Sequence, residues 1–336
     1  KEIKDSELYK ILSEVEEIND GDQITYFEIL TAAYFYGAKK YNNNINLIES
    51  GLFHRFDATN IIEENLASVV TAIGIDHTDW LPKNERTIEK IIFEKTSSLL
   101  KSKIIVSKQP NKYTFEKIKK SLISNNSKKI FYNYLYSYSL SENNFFYYED
   151  EYGGLKLPVP NLIGDFQLSN IATAIVTLRN IENLNILEHH IKEGITKIQS
   201  IGRLQEIKYG KLKDMVGKNK LFVDGAHNPL GAKVLAEYLD SINLKKHIII
   251  GMMSNKEHQE YINFFKNKID SITTIDIPNQ HNSLGGQDLK KKIIGFNKVS
   301  YKSSIEEALK SLKLEENSLI LVTGSLYLAG EVLNLN

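Results

Sequence analysis

An aspartate and a histidine three residues apart follow a short apolar run in the second half of the chain. Residues 221–223 predict a buried strand, after which the chain turns through Asp224 and His227 into a helix-like segment. We expect Gly225 to give this turn backbone freedom and Pro229 to open the helix. Ligands bind at the carboxyl ends of strands in open α/β sheets. A ligand site and a plain turn, with Asp224 as its cap and His227 on the surface, are about equally supported.

A carboxylate and an imidazole end two predicted strands in the first half. Residues 45–49 predict a strand ending in Glu49, and residues 68–75 predict a near-continuous apolar strand that leads to His77. If these strands are neighbours, both side chains lie at one edge of a parallel sheet. A carboxylate with a single imidazole suits Mg²⁺ or Mn²⁺ better than a structural zinc, so the pattern predicts a metal or phosphate site.

The predicted elements around these residues form an α/β arrangement. Helical spacing predicts helices over 3–18, 25–40 and 87–100, and a third strand over 103–106. Lys95 lies on the third helix, where the pattern alone indicates an ordinary solvated lysine. Residues 107–156 predict a small sheet insertion with no chemistry of their own, and helices follow over 169–179 and 187–197.

Strands and helices alternate from Ser200 onward. We predict strands over 221–223, 247–250, 271–277 and 318–323, and helices over 232–239, 258–266, 286–293 and 304–312. This alternation is typical of a Rossmann-like α/β domain. We therefore predict two domains, 1–200 and 201–336, with Arg203 at the hinge.

Composition excludes several classes of function. The 336 residues carry 42 basic and 42 acidic side chains, so no electrostatic footprint for nucleic acid is present. The absence of cysteine excludes disulfides, thiolate metal sites and a cysteine nucleophile. No apolar run approaches the roughly 20 residues that span a bilayer, and no signal peptide is visible. The expected location is the cytoplasm.

Eight segments, in order and over nearly the whole chain, resemble the folylpolyglutamate synthase/dihydrofolate synthase branch of the Mur ligases. They are Ile-Thr-Tyr-Phe-Glu at 24–28, Ile-Glu-Ser-Gly-Leu-Phe-His-Arg-Phe-Asp-Ala-Thr-Asn at 48–60, Ile-Asp-His-Thr-Asp-Trp-Leu at 75–81, Phe-Glu-Lys at 93–95, Phe-Gln-Leu-Ser-Asn at 166–170, Gly-Arg-Leu at 202–204, Asp-Gly-Ala-His-Asn-Pro at 224–229 and Thr-Gly-Ser-Leu-Tyr-Leu at 323–328. Each is weak alone, and together they are specific. The runs at 224–229 and 323–328 favour the folate branch over a cell-wall Mur ligase.

The resemblance implies a fold, a reaction and a set of ligands. The expected fold is a Mur-ligase-like central ATPase domain, shortened at its N-terminus, followed by a Rossmann-like C-terminal domain. The family phosphorylates a carboxylate of dihydropteroate or folylglutamate with ATP, and L-glutamate then attacks the acyl phosphate. Mg²⁺ ions clamp the phosphate oxygens in such transfers. A cytoplasmic monomer with no nucleic-acid or membrane partner is expected.

The resemblance also assigns residues. Glu49 and His77 match magnesium ligands, and Lys95 matches a lysine that is carbamylated and thereby becomes an anionic metal ligand. Arg203, Asp224 and His227 match residues that close over ATP and glutamate. Asn170 matches an asparagine near the nucleotide, and Ser325 is a weaker match for a residue on the glutamate side. Closure over the ligands would exclude water that hydrolyses the acyl phosphate.

Two departures from the family pattern bear on activity. Nothing in the sequence fits the Gly-rich phosphate loop, because Gly217-Lys218 is followed by Asn219, and the chain is expected to start after that loop. The family's Gly-Leu-Gly-Gly-Arg reads Gly51-Leu-Phe-His-Arg55, so Phe53 and His54 replace glycines. Three interpretations stay open: a ligase whose N-terminal piece is recorded elsewhere or supplied by another chain, an inactive remnant, and a non-catalytic ligand-binding protein.

Overall fold

The computed structural model describes residues 3–41, 44–100, 102–142, 145–160, 162–182, 184–315 and 317–336. The chain forms two compact units. The first comprises Lys1–Ile73, Lys83–Ile105 and Gln109–Lys129, and the second comprises Gly74–Pro82, Val106–Lys108 and Ile130–Asn336. The domain boundary near Ser200 stays a prediction.

The first unit opens with two helices that pack closely. Its elements are α1 (Asp5–Asn19), α2 (Tyr26–Ala38), β1 (Ala67–Val70), α3 (Ile88–Thr96), β2 (Lys103–Val106, whose last residue belongs to the second unit) and α4 (Lys112–Ser121). Thr25 caps α2 in a capping box, accepting the backbone N–H of Glu28 while the Glu28 carboxylate accepts that of Thr25. A Cβ at Gly37 would lie 2.9 Å from Ile11, so the small residue at this position of α2 permits the contact with α1.

Three sequence predictions in this unit are wrong in extent or kind. Residues 45–49 form no strand; Ile45 and Leu47 are exposed, the latter by 95%, so the segment lacks the buried face that would hold a strand in place. β1 ends at Val70 instead of residue 75, because the Gln109 side chain takes the place of a strand partner: its amide donates to Thr71 O and accepts from Ile73 N. α3 ends at Thr96 instead of residue 100.

The second unit contains the predicted small sheet. After β3 (Lys129–Phe131, whose first residue belongs to the first unit), the antiparallel strands β4 (Tyr136–Leu140), β5 (Phe145–Asp150) and β6 (Gly153–Pro158) pair in sequence order. α5 (Asp165–Asn180) and α6 (Glu188–Lys197) follow. α5 begins at Asp165, before the predicted start at residue 169, because Gly164, with φ +102, is its N-cap and ends the extended chain there.

The predicted Rossmann-like fold is confirmed for the rest of the chain. Its elements are β7 (Gln205–Ile207), α7 (Lys211–Val216), β8 (Lys220–Val223), α8 (Pro229–Asp240), β9 (Lys246–Ile250), α9 (His258–Asn263), β10 (Ser271–Ile275), α10 (Gly286–Lys292), β11 (Val299–Lys302), α11 (Ile305–Ser311), β12 (Leu319–Thr323) and α12 (Leu326–Leu335). The strand order is β11-β10-β9-β12-β8-β7. All pairs are parallel except β7 with β8.

Both faces of this sheet are buried, which explains its continuous apolar strands. One core contains Phe222, Ile248 and Leu321, and the other contains Leu221 and Ile320. Because β8, β9 and β12 are parallel, their carboxyl ends lie at the same edge of the sheet. No helix in the part of the chain that the structure describes is long and apolar enough to cross a membrane.

Candidate active site

A polar cleft in the second unit has Asp76 at its centre. Three segments line it, 75–80, 227–228 and 255–257. The second of these follows β8 and the third follows β9, so the sheet edge that was expected to bind ligands supplies two of its walls. We refer to it as the Asp76 cleft.

Four nitrogen-bearing side chains surround the Asp76 carboxylate. Asn228 Nδ2 donates to Oδ2 at 2.6 Å, and Lys256 Nζ lies 3.4 Å from Oδ1. The Nε2 atoms of His77 and His227 each lie 3.7 Å from Oδ2. The structure thus brings together His77 and His227, which the sequence placed at two different strand ends, on one carboxylate.

The electrostatics of the cleft keep Asp76 ionised and His227 neutral near pH 7. Burial would raise the pKa of Asp76, but the hydrogen bond from Asn228 and the charges of His77 and Lys256 outweigh it and hold that pKa below its usual value. Burial, with Lys256 nearby, lowers the pKa of His227. The cleft therefore places the ionised Asp76 carboxylate beside the Lys256 ammonium group and the neutral His227 imidazole.

The turn after β8 is fixed by local chemistry. Asn228 is the N-cap of α8, since its Oδ1 accepts the backbone N–H of Gly231 at 2.8 Å, and Pro229 opens the helix as predicted. Gly225 is required for a different reason than expected: its φ is not positive, and a Cβ would lie 2.3 Å from Leu326. Close packing therefore excludes a side chain at this position.

Asp224 faces the backbone. Its side chain is buried and accepts the N–H groups of Leu204 and Ala226, each at 2.7 Å. Burial raises its pKa. It does not line the Asp76 cleft. This geometry favours the turn-cap interpretation of Asp224 that the sequence left open.

The other predicted residues of the second unit lie on the surface or at helix caps. Arg203 is exposed on a turn, and Asn170 is exposed on α5, where its amide donates to Gln167. Ser325 is buried and caps α12 by accepting the backbone N–H of Tyr327. None of the three lines the Asp76 cleft.

In the first unit, Lys95 is half-buried on α3. Its Nζ donates to the carbonyl oxygen of Leu52 at 2.8 Å and lies 5.7 Å from the centre of the Phe53 ring. Neither Phe53 nor His54 has a positive φ, so the side chains that replace glycines cause no backbone strain. Glu49 is exposed in an irregular segment.

An ion pair beside Lys95 was missed by the sequence analysis. Glu94 is 5% exposed, and Arg55 donates to both of its carboxylate oxygens at 2.8 Å. The Glu94 carbonyl also accepts the N–H groups of His54 and Arg55. The pair therefore fixes the 51–55 loop to α3 next to Lys95. Its signal in the sequence was the Phe-Glu-Lys run, of which only the lysine was used.

The side chains available to bind a metal ion suit Mg²⁺ better than a metal ion whose ligands all come from the protein. No three His, Cys, Asp or Glu side chains are grouped to hold a metal within the described ranges. Mg²⁺ needs no such group, because it keeps several waters and takes phosphate oxygens with one or two protein ligands. Glu49 and His77 offer suitable donors. Their assignment, and that of Lys95, stays a proposal.

Comparisons with known proteins agree with the fold. The model of the Mur ligase glutamate ligase domain matches residues 202–326. The solved structure of Escherichia coli FolC in complex with ADP superposes with a TM-score of 0.84 at 24% identity, covering 100% of this chain and 77% of that one. A Yersinia pestis folylpolyglutamate synthase/dihydrofolate synthase complexed with AMPPNP and a Mn ion gives 0.82 at 22% identity, covering 99% and 76%. These two structures establish the fold alone.

Similarity in sequence establishes the family. The dihydrofolate synthase/folylpolyglutamate synthase of Buchnera aphidicola subsp. Acyrthosiphon pisum is 30% identical over 335 residues, which cover 96% of this chain and 74% of that protein. The Escherichia coli protein of the same name is 25% identical, with 96% and 72% covered. On the strength of the first of these matches, together with the fold and the eight segments found in the sequence, this chain belongs to the dihydrofolate synthase/folylpolyglutamate synthase family.

Proposed function

We propose that this chain is an ATP-dependent ligase that joins L-glutamate to dihydropteroate or to folate through an acyl phosphate. The observation that carries the proposal is the Asp76 cleft, which gathers two histidines, an asparagine and a lysine around one carboxylate within a chain of this family. Inactive-remnant and binding-only interpretations gain no support from this geometry, because the segments that form the cleft are held in place by specific hydrogen bonds.

The charges of the cleft suit an amino acid. L-Glutamate enters as a zwitterion, so its site needs an acceptor for the ammonium group and donors for carboxylates. Asp76 offers the acceptor, and Lys256 offers a donor, with the neutral His227 imidazole beside them. The N-terminus of α8, capped by Asn228, adds a partial positive charge. We therefore assign the incoming glutamate to this cleft.

The reaction proceeds in two transfers. A carboxylate oxygen of the pterin substrate forms a bond to the γ-phosphorus as its bond to the β–γ bridging oxygen breaks, which releases ADP. The glutamate amine, after losing a proton, then forms a C–N bond at the acyl carbon, and the C–O bond to phosphate breaks. Arg203 and Asn170, both exposed, are proposed to contact the nucleotide, and Ser325 is proposed on the glutamate side. Asp224 would hold the turn that carries His227.

Magnesium is the proposed metal, and ATP the proposed nucleotide. Glu49, His77 and a carbamylated Lys95 would hold the metal. When bound, Mg²⁺ would neutralise charge on the transferring phosphoryl oxygens. A carbamylated amine retains one N–H, so the hydrogen bond from Lys95 to the Leu52 carbonyl is compatible with the modification.

Calorimetry followed by product analysis tests the proposal. The purified chain is titrated with ATP in Mg²⁺, and ADP release is then followed with dihydropteroate or tetrahydrofolate, with and without L-glutamate. We expect saturable binding and ADP release that needs all three substrates for steady turnover. Binding without turnover would favour a binding protein, and neither binding nor turnover would contradict the proposed function.

A further inference from the structure

We propose that Asp76 is a positioning residue for the ligase reaction: its carboxylate orients the His77 imidazole toward the metal and holds Lys256 and Asn228 at the amino-acid end of the same cleft. The inference rests on the proposed function and adds to it a residue that sequence reasoning passed over. In this role Asp76 acts through these neighbours, in addition to its proposed contact with the glutamate ammonium group.

The first support is the number and kind of partners. The Asp76 carboxylate meets side chains from its own segment, from the β8–α8 turn and from the segment after β9. The His77 backbone N–H also donates to Oδ1 at 2.8 Å, so among the described residues most partners of this carboxylate are side chains. A carboxylate whose role was to close a turn would be saturated by backbone groups. Asp76 instead sets the relative positions of three functional side chains.

The second support is the backbone of His77. Its φ is +57, in the left-handed region that residues other than glycine seldom adopt. Such a conformation persists only where the surroundings impose it, and it concentrates at functional sites. The hydrogen bond from His77 N to the Asp76 side chain stabilises it here. Asp76 therefore fixes the backbone of His77.

The third support is the chemistry of metal-bound histidine. Such a ring usually donates its second N–H to a carboxylate, which fixes its orientation and makes it a stronger ligand. Asp76 Oδ2 lies 3.7 Å from Nε2 of His77, and both side chains are mostly buried. A small rotation of the ring would complete a hydrogen bond and leave Nδ1 available to the metal.

The test compares Asp76→Asn with the unchanged chain. Asparagine keeps the shape and an acceptor for the Asn228 amide, but it removes the charge. Binding of Mn²⁺ in the presence of ADP is measured from the electron paramagnetic resonance signal of free Mn²⁺, with folding checked by circular dichroism. We expect the dissociation constant for Mn²⁺ to rise about 10-fold to 100-fold. Asp240→Asn, which removes an exposed carboxylate paired with Lys268, should leave it unchanged.

The possible outcomes separate the inference from the proposed function. Equal Mn²⁺ affinity in Asp76→Asn and the unchanged chain would overturn the role of Asp76 alone. No saturable Mn²⁺ binding by the unchanged chain would overturn the metal site itself and this inference with it. If Asp76→Asn fails to fold, Asp76→Glu replaces it as the test, because glutamate keeps the charge but displaces it. Weaker Mn²⁺ binding by the folded Asp76→Glu variant would support the inference, and unchanged Mn²⁺ binding would contradict it.

Discussion

The β8–α8 turn and segment 74–82 each contain a largely buried aspartate, and the partners of the two differ in kind. Asp224, in the turn, accepts two backbone N–H groups at 2.7 Å. Asp76, in the segment, meets the side chains of Asn228 and Lys256 at 2.6 and 3.4 Å. A carboxylate saturated by backbone N–H groups stabilises the fold, whereas one that contacts side chains from several segments can respond to a ligand. Four predictions examine this contrast.

The largest effect is expected from His77→Ala. Removal of the proposed metal ligand should lower glutamate-dependent ADP release more than about 100-fold, because charge on the phosphoryl oxygens is then poorly neutralised. Steady-state assays over a range of Mg²⁺ concentrations measure this. His189→Ala, an exposed histidine of α6, is the matched control and should retain full activity. Undiminished turnover in His77→Ala would remove His77 from the metal site.

Asp224→Ala should chiefly reduce stability. It leaves two N–H groups without their acceptor, those of Leu204 and Ala226, at a cost of about 2–4 kcal/mol in the free energy of unfolding. Urea unfolding followed by tryptophan fluorescence or circular dichroism measures the change. If the variant is as stable as the unchanged chain but loses activity, Asp224 acts on a ligand and the contrast with Asp76 is wrong.

Lys256→Met should affect binding more than stability. Loss of the ammonium group that faces Asp76 is expected to raise KM for L-glutamate about tenfold, because the substrate then loses one charge-assisted hydrogen bond. KM for ATP should change much less. Lys233→Met, which removes an exposed lysine paired with Glu237 on α8, serves as the control. An unchanged KM for glutamate would move the amino-acid site away from the Asp76 cleft.

The smallest effect is the pH dependence of stability, where the two aspartates should differ in sign. The folded pKa of Asp76 is below 3.8, so ionised Asp76 contributes stability that is present above this value and is lost as pH falls through the folded pKa. The folded pKa of Asp224 is above 3.8, so its contribution declines as pH rises from 3.8 through the folded pKa.

Urea unfolding between about pH 3 and pH 6 checks this difference. The stability advantage of the unchanged chain over Asp76→Asn should grow with pH, and its advantage over Asp224→Asn should shrink. Slopes of the same sign for both pairs would contradict the assignment of the two environments.

The sequence predicted most of the fold, but it indicated Asp224 as the candidate site aspartate and not Asp76. The pattern of apolar residues located the alternating strands and helices after Ser200, and the start of α8 at Pro229 is a local feature that needs no tertiary knowledge. The strand over 45–49 failed because alternation alone cannot show whether a partner strand exists. Asp224 was selected because it ends a strand, and its backbone partner Leu204 is twenty residues away.

Asp76 and Lys256 could not be found in the same way. They are separated by 180 positions, and their proximity depends on where the segment after β9 meets segment 74–82. Asp76 also directly precedes His77, and of these two residues the resemblance to the family assigned only His77 as a metal ligand. The bidentate ion pair of Arg55 with Glu94 could not be predicted either, because 39 positions separate the two residues in the sequence.

The most direct test of the proposed chemistry follows oxygen through the reaction. Dihydropteroate labelled with ¹⁸O in its carboxylate is incubated with the chain, ATP, Mg²⁺ and L-glutamate, and the inorganic phosphate is analysed by ³¹P nuclear magnetic resonance or mass spectrometry. An acyl phosphate requires that one labelled oxygen leave with phosphorus, so we predict phosphate that carries one ¹⁸O for each amide formed. Amide formation with unlabelled phosphate would contradict the account.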